Sequence, residues 1–138
     1  MSDKAHILDS SAVLALIEDK EGAERVEEVL REGRVLLPFV VLLEVYYITR
    51  RERGEPEANR RYGLLKRLVP EVLWGMDEGL LLRAGQLKAE YPISLADALI
   101  ATFAIQEGAV LLHKDPEYEV LAQEVELEAL PYRPGAAG

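Results

Sequence analysis

Short apolar runs alternate with longer helical segments along nearly the whole chain, and this alternation limits the possible folds most strongly. Five apolar runs have the length and composition of β-strands: residues 5–8, 35–37, 72–74, 109–112 and 125–129. No tight hairpin signal such as Asn-Gly joins any two of them. The sequence therefore predicts an α/β fold with a central, mostly parallel sheet and helices on both faces.

The helical segments have recognisable beginnings and ends. Their predicted bounds are residues 12–18, 21–32, 39–50, 57–68, 77–90 and 95–107, and a short helix follows residue 116. Ser10 and Ser11 are predicted to cap the first helix, and Gly33 to end the second. The chain has 138 residues, of which 49% are hydrophobic, and no linker or repeat. We therefore expect one domain over residues 1–138, with residues 131–138 as a loose tail.

Scarce residue types exclude several kinds of site. The chain has no cysteine, which excludes disulfides, cysteine-ligated zinc, iron–sulfur clusters and thiol nucleophiles. Its two histidines, His6 and His113, are too few for a multi-histidine metal site. Asp9 interrupts the first apolar stretch, and no run reaches the roughly 18 apolar residues of a membrane helix. We therefore expect neither a signal peptide nor a membrane span. We expect the protein to be cytoplasmic.

Charge is distributed unevenly along the chain. The net charge of −9 argues against packaging of nucleic acid by bulk charge. Residues 50–67 nevertheless carry seven basic and three acidic side chains, a local charge of +4, which leaves the remainder near −13. This segment is interpreted either as a charged helix hairpin or as an edge that faces phosphate or a partner. In the second interpretation, Arg50 and Arg51 are candidate substrate contacts.

Two aspartates follow predicted strands. Asp9 comes directly after the first apolar run, and Asp115 follows the fourth. Ligands of parallel sheets sit beyond the carboxyl ends of the strands, so both side chains are candidates for a binding site. Each also has an ordinary structural explanation, because aspartate is common in turns and caps and Asp115 precedes a proline, as at many helix starts. The two serines after Asp9 can already cap the helix that follows, so a capping role is not needed to explain Asp9.

Two further acids lie in apolar helices. Glu44 is the only charged residue between positions 39 and 48, and a helix that is apolar all round is expected to be buried. A buried carboxylate needs a cation, either a metal ion or an arginine from residues 50–61. Asp97 follows Ser94 at the spacing of a capping box and suits the first turn of a helix. The apolar segment after it predicts that this helix start is buried as well.

Together, Asp9, Glu44, Asp97 and Asp115 predict a pocket that holds a divalent cation. Two carboxylates about 4 Å apart repel by about 1 kcal/mol in water and about 4 kcal/mol at an effective dielectric near 20. Ligands that are all oxygen select Mg²⁺ or Mn²⁺ rather than zinc. Such an ion activates water and neutralises charge in phosphodiester hydrolysis. The four acids are therefore the predicted catalytic residues of a metal-dependent nuclease.

Four segments resemble the motifs of the PIN domain family, and each contains one of these acids. They are residues 7–16 (ILDSSAVLAL), 43–45 (LEV), 94–101 (SLADALIA) and 113–118 (HKDPEY). The motifs follow the family order and extend over nearly the whole chain. The size of the chain is similar to that of VapC-type toxins, the ribonuclease halves of toxin–antitoxin pairs.

This resemblance implies an α/β/α sandwich, often a homodimer, with Mg²⁺-dependent ribonuclease activity on RNA and an antitoxin protein as partner. It implies that Asp9 and Asp97 are the chief metal ligands. Glu44 and Asp115 would complete the pocket and help to orient water. His113 stands where the family commonly has threonine or serine, so it is either a contact to substrate phosphate or an ordinary histidine at a strand end.

Other protein classes fit the pattern less well. A phosphatase of the haloacid dehalogenase type needs a second aspartate two residues after the first, where this chain has Ser11. A receiver domain needs paired acids at the first strand, and Asp9 has no acidic neighbour. The main alternative is a PIN-like fold that binds RNA or protein without catalysis. A basic antitoxin segment is one such partner, with arginine reaching the carboxylates.

Overall fold

A computed structural model describes residues 4–131 of the chain. The first half contains β1 His6–Leu8, α1 Ser10–Ile17, α2 Ala23–Glu32, β2 Val35–Pro38, α3 Phe39–Arg53 and α4 Glu55–Leu68. The second half contains β3 Val72–Leu73, α5 Glu78–Glu90, α6 Leu95–Glu107, β4 Val110–His113, a 3₁₀ helix Pro116–Leu121 and β5 Leu127–Ala129. The predicted alternation of strands and helices is confirmed. Most of the predicted tail, residues 132–138, lies outside the described residues.

The five strands form one parallel sheet in the order β3-β2-β1-β4-β5. At the centre, Ile7 of β1 is in register with Leu36 of β2 on one side and Leu111 of β4 on the other. The chain first winds from β1 through β2 to β3, and then crosses to β4 and β5 on the opposite side of β1. The carboxyl ends of β1 and β4 therefore lie side by side where the winding reverses, which is the usual ligand position in such sheets.

Helices cover the sheet in a three-layer α/β/α arrangement, as predicted. Helix α6 is the most deeply buried, because its apolar residues continue around the helix. Its Phe103 packs edge to face against Phe39 of α3, with ring centroids 6.0 Å apart. Gly108 ends α6 in the left-handed conformation, with φ of 61°, and turns the chain into β4. Within residues 4–131, the helices lack the combination of length and apolar composition needed to span a bilayer.

A buried arginine joins helix α4 to the ends of α1 and α3. Arg61 is 4% exposed, and its guanidinium donates to Glu57 (2.9 Å) and Glu18 (3.1 Å). It also donates to the hydroxyl of Thr49 at 3.3 Å. We call these four side chains the Arg61 clamp. Helices α1 and α3 both carry candidate site residues, so the clamp fixes the relative position of two helices that contribute to the site.

Several other basic residues of the 50–67 segment also have partners nearby. Arg50 donates to Glu55 at 2.6 Å, and Arg60 donates to Glu57 at 2.6 and 2.7 Å. The guanidinium of Arg51 lies over the ring of Tyr47, 5.2 Å from its centroid. These contacts agree with the interpretation of this segment as a charged helix hairpin.

Candidate active site

The first candidate acid, Asp9, lies directly beyond β1 and caps helix α1. Its Oδ1 accepts the N–H of Ala12 at 2.8 Å, and Ser11 Oγ donates to the same carboxylate at 2.7 Å. The prediction that the two serines cap the helix is therefore wrong, because Asp9 itself is the cap. Its side chain is only 2% exposed. Burial raises the pKa of Asp9 to about 7, against the opposing effect of these hydrogen bonds and with a further rise from the charge of Asp115.

The second acid, Glu44, reaches the pocket from helix α3. Its Oε1 accepts a hydrogen bond from Ser10 Oγ at 2.6 Å, which links α3 to the first turn of α1. The expectation that α3 is buried all round is wrong, because Leu43 and Tyr47 are 57% and 39% exposed. Glu44 is half-buried, at the boundary between this exposed face and the core. The expected alternative, an ion pair with an arginine of residues 50–61, does not occur among the described residues. Arg50, Arg60 and Arg61 pair with other glutamates.

The third acid, Asp97, lies in the first turn of α6. Ser94 caps this helix, as predicted, by accepting the N–H of Asp97 at 3.1 Å. The Asp97 carboxylate does not complete the capping box, and instead accepts a hydrogen bond from the hydroxyl of Tyr118 at 2.9 Å. Burial raises the pKa of Asp97 to about 8, with a smaller contribution from the carboxylates of Glu117 and Asp115 and an opposing one from Tyr118.

The fourth acid, Asp115, opens the 3₁₀ helix beyond β4. Its Oδ1 accepts the N–H of Glu117 at 2.9 Å, the capping role that its following proline indicated. Glu117 in turn accepts the N–H of Ser94 at 2.7 Å, which ties the 3₁₀ helix to the start of α6. Oxygens of Asp97, Asp115 and Glu117 all lie within 4.8 Å of one another. Glu117 was missed by the sequence analysis, although its position two residues after Asp115 was a usable signal.

Tyr118 lies near three of the four predicted acids. Its side chain is completely buried, and the negative charges of Asp9, Asp97 and Glu44, added to the burial, raise its pKa well above the usual value. The charge of Asp115 likewise reaches both Asp9 and Asp97. Asp9 and Asp115 follow the adjacent strands β1 and β4, whereas Glu44 and Asp97 reach this edge of the sheet from α3 and α6. Within residues 4–131, the acids whose oxygens are close enough to share one ion are Asp97, Asp115 and Glu117, and this group does not include Asp9 or Glu44. The sequence analysis also missed Tyr118, whose apolar ring is typical of a core residue.

The three predicted substrate contacts occupy different surroundings. His113 is completely buried, and its Nδ1 accepts the N–H of Asp115 at 3.1 Å. A phosphate contact by this ring would therefore first require its exposure. Arg50 and Arg51 are exposed near the end of α3. Arg51 follows Glu44 by seven residues, and this spacing puts it two turns along the same helix face.

The pocket suits a hard divalent cation. All of its acidic ligands offer oxygen, which is what Mg²⁺ and Mn²⁺ prefer. Burial raises the pKa of Asp9 to about 7 and that of Asp97 to about 8, so both carboxyls hold a proton more readily than an exposed aspartate does. A cation would replace those protons and relieve the repulsion between the acids.

Comparisons with known proteins agree with the fold described above. The model of the PIN domain family matches residues 6–124. No curated protein matches the sequence. A chain in the structure of VapBC2 from Rickettsia felis, bound to promoter DNA, has a similar fold with TM-score 0.75 and 18% identity, over 92% of this chain and 99% of that one.

Two further solved structures have the same fold. VapBC-1 from nontypeable Haemophilus influenzae matches with TM-score 0.71 and 23% identity, over 91% of this chain and 97% of that one. VapC20 from Mycobacterium tuberculosis, described as a toxin that cleaves the Sarcin-Ricin loop, matches with TM-score 0.70 and 19% identity, over 91% of this chain and 99% of that one.

Proposed function

The chain belongs to the PIN domain family, and from this premise we propose that it is a ribonuclease that hydrolyses RNA phosphodiester bonds with Mg²⁺ or Mn²⁺. The observation that carries the proposal is the acidic edge of the sheet, where oxygens of Asp97, Asp115 and Glu117 lie within 4.8 Å of one another and Asp9 follows the adjacent strand. Among residues 4–131, no lysine or arginine forms an ion pair with these four acids, which suits a cation site better than a structural core. The VapC20 toxin, which has the same fold, is described as cleaving the Sarcin-Ricin loop, and this supports RNA as substrate.

Each acid has a distinct task in this proposal. Asp9 and Asp97 are the chief metal ligands, because they are the most buried acids of the pocket and gain most from a cation that replaces their protons. Glu44 and Asp115 lie at the more open side and orient the attacking water. The bound cation supplies water activation and neutralises the charge that develops on the phosphate. Substrate RNA is positioned by Arg51, which lies on the same face of α3 as Glu44.

The decisive experiment compares the wild-type protein with Asp97→Asn on a fluorescent single-stranded RNA. We expect cleavage by the wild type with Mg²⁺ or Mn²⁺, none with a chelator, and a loss of at least about 100-fold in Asp97→Asn. The variant should fold normally, because the amide resembles the protonated carboxyl that burial already favours at this position. Circular dichroism and the melting temperature check this.

Asp77→Asn is the matched control. Asp77 caps helix α5 by accepting the N–H of Leu80 at 2.8 Å, and it is exposed and outside the pocket. Cleavage by this variant should equal that of the wild type. Full activity in Asp97→Asn would refute the assigned role. A wild type that binds RNA but does not cleave it with any divalent ion would favour the alternative, a non-catalytic binding module.

The biological setting that we propose is a toxin–antitoxin pair in the cytoplasm, with this chain as the toxin. VapBC complexes have the same fold, and the acidic pocket would attract a basic antitoxin segment. An arginine of such a segment can form a bidentate pair with carboxylates and so compete with the cation. Inhibition of cleavage by a co-expressed antitoxin, relieved on its removal, tests this partner.

A homodimer completes the proposal. An apolar groove at the surface of α3 and α4 has a volume of about 270 Å³, and its lining includes Leu43, Tyr62 and Trp74. Leu43 and Trp74 are each 57% exposed, which is an unusual position for side chains of this size. Sedimentation of the wild type and of Trp74→Glu measures whether this groove joins two copies. A monomeric wild type would exclude the dimer.

A further inference from the structure

Each of three carboxylates in the pocket is held by a different hydroxyl group. Ser11 donates to Asp9 at 2.7 Å, and Ser10 donates to Glu44 at 2.6 Å. The third of these hydrogen bonds, at 2.9 Å, joins Tyr118 to Asp97. The serines come from the first turn of α1, whereas Tyr118 comes from the 3₁₀ helix after β4. The hydroxyl that holds Asp97 therefore reaches the pocket from the core side.

Tyr118 is itself rigidly held. Its ring is completely buried and contacts the ring of His113, with centroids 5.1 Å apart and a tilt of 52°. His113 also accepts the N–H of Asp115, so the two rings fix the start of the 3₁₀ helix against the end of β4. The ring position places the tyrosine hydroxyl where it donates to Asp97 Oδ1 at 2.9 Å.

From this geometry we infer that Tyr118 is a positioning residue that holds the Asp97 carboxylate in the orientation needed to bind the cation. The inference rests on the proposed function, because it concerns the same metal site. A buried tyrosine needs a hydrogen-bond partner, but many acceptors would serve the packing of the core. Here the acceptor is Asp97, an acid of the pocket. The Tyr118 hydroxyl can therefore affect metal binding, which a tyrosine that only packs in the core would not do.

The expected magnitude follows from the position of the hydroxyl. Groups that hydrogen-bond to a metal ligand fix its orientation, and their removal typically weakens metal affinity by about 10- to 100-fold. Loss of the Tyr118 hydroxyl leaves Asp97 Oδ1 without its donor in a buried site and frees the carboxylate to rotate. The two serine hydroxyls hold other acids and cannot replace it.

The test measures Mn²⁺ affinity of the metal-free protein by titration calorimetry or by the electron paramagnetic resonance of free Mn²⁺. We expect Tyr118→Phe to weaken Mn²⁺ binding at least about 10-fold, with an unchanged far-ultraviolet circular dichroism spectrum. Tyr91→Phe is the matched control, because Tyr91 donates to Glu124 at 2.6 Å, away from the pocket. That variant should bind Mn²⁺ like the wild type.

The outcomes separate the inference from the proposed function. A wild type that binds no Mn²⁺ would overturn both. Normal Mn²⁺ affinity in folded Tyr118→Phe, whether or not its melting temperature falls, would overturn only the inference. If Tyr118→Phe does not fold, replacement of Tyr118 by para-aminophenylalanine keeps a donor at the same place. Near-normal affinity of that protein then supports the inference, and a 10-fold loss contradicts it.

Discussion

The Arg61 clamp gives the sharpest test of what holds the site-bearing helices together. We propose to compare Arg61→Met with Arg60→Met, because the two arginines are neighbours that both donate to Glu57. Arg61 is 4% exposed and also reaches Glu18 and Thr49. Arg60 is exposed, and within residues 4–131 its hydrogen bonds go to Glu57. Methionine keeps most of the apolar stem, so the comparison isolates the guanidinium.

The structure sets the magnitude of the expected loss. Removal of one partner of a buried ion pair typically costs about 3–5 kcal/mol, because the remaining charge stays desolvated. Here the remaining acids keep some compensation, since Glu57 retains Arg60 and Glu18 retains Lys20 at 2.9 Å. We therefore expect Arg61→Met to lower the free energy of unfolding by about 2–4 kcal/mol. Arg60→Met removes an exposed pair and should change stability little.

Urea unfolding followed by circular dichroism measures both variants. With an m-value of about 2 kcal/mol/M, the expected loss for Arg61→Met lowers the urea midpoint by about 1–2 M. The slope should stay the same, because neither substitution changes the surface exposed on unfolding. Equal losses in the two variants, or a loss below about 1 kcal/mol in Arg61→Met, would refute the reasoning.

Two further predictions concern the titration of the pocket. The pKa values of Asp9 and Asp97 are raised in the folded state from 3.8 to about 7 and about 8, so protons favour folding. The contribution of both groups is full below pH 3.8 and is lost as the pH rises through 7 and 8. The melting temperature of metal-free protein should therefore fall over this range, and less steeply in Asp97→Asn; an equally steep fall in that variant would contradict the assignment. Saturating Mg²⁺ or Mn²⁺ should raise the melting temperature, and more at pH 8 than at pH 6 because the cation displaces these protons; no rise at pH 8 would exclude a converged site.

The sequence by itself determined the elements and their order. Strand length, apolar periodicity and the residues at helix ends depend on neighbours within a few positions, so they could be predicted directly. The parallel sheet followed from the helices between strands, and the approach of Asp9 to Asp115 followed from the carboxyl-end rule. Ser94 was correctly predicted to cap α6 from the same local pattern.

Only the tertiary structure decided how each acid of the pocket is held. The bond between Ser10 and Glu44 joins residues 34 positions apart, and that between Tyr118 and Asp97 joins residues 21 apart. Local patterns favoured the two serines as helix caps and gave no reason to assign Tyr118 a polar task. The hydroxyl that binds each carboxylate depends on how the helices pack over the sheet, because this packing brings one buried donor close to one buried carboxylate. The sequence could therefore name the four acids, while their hydroxyl partners became visible only in the folded chain.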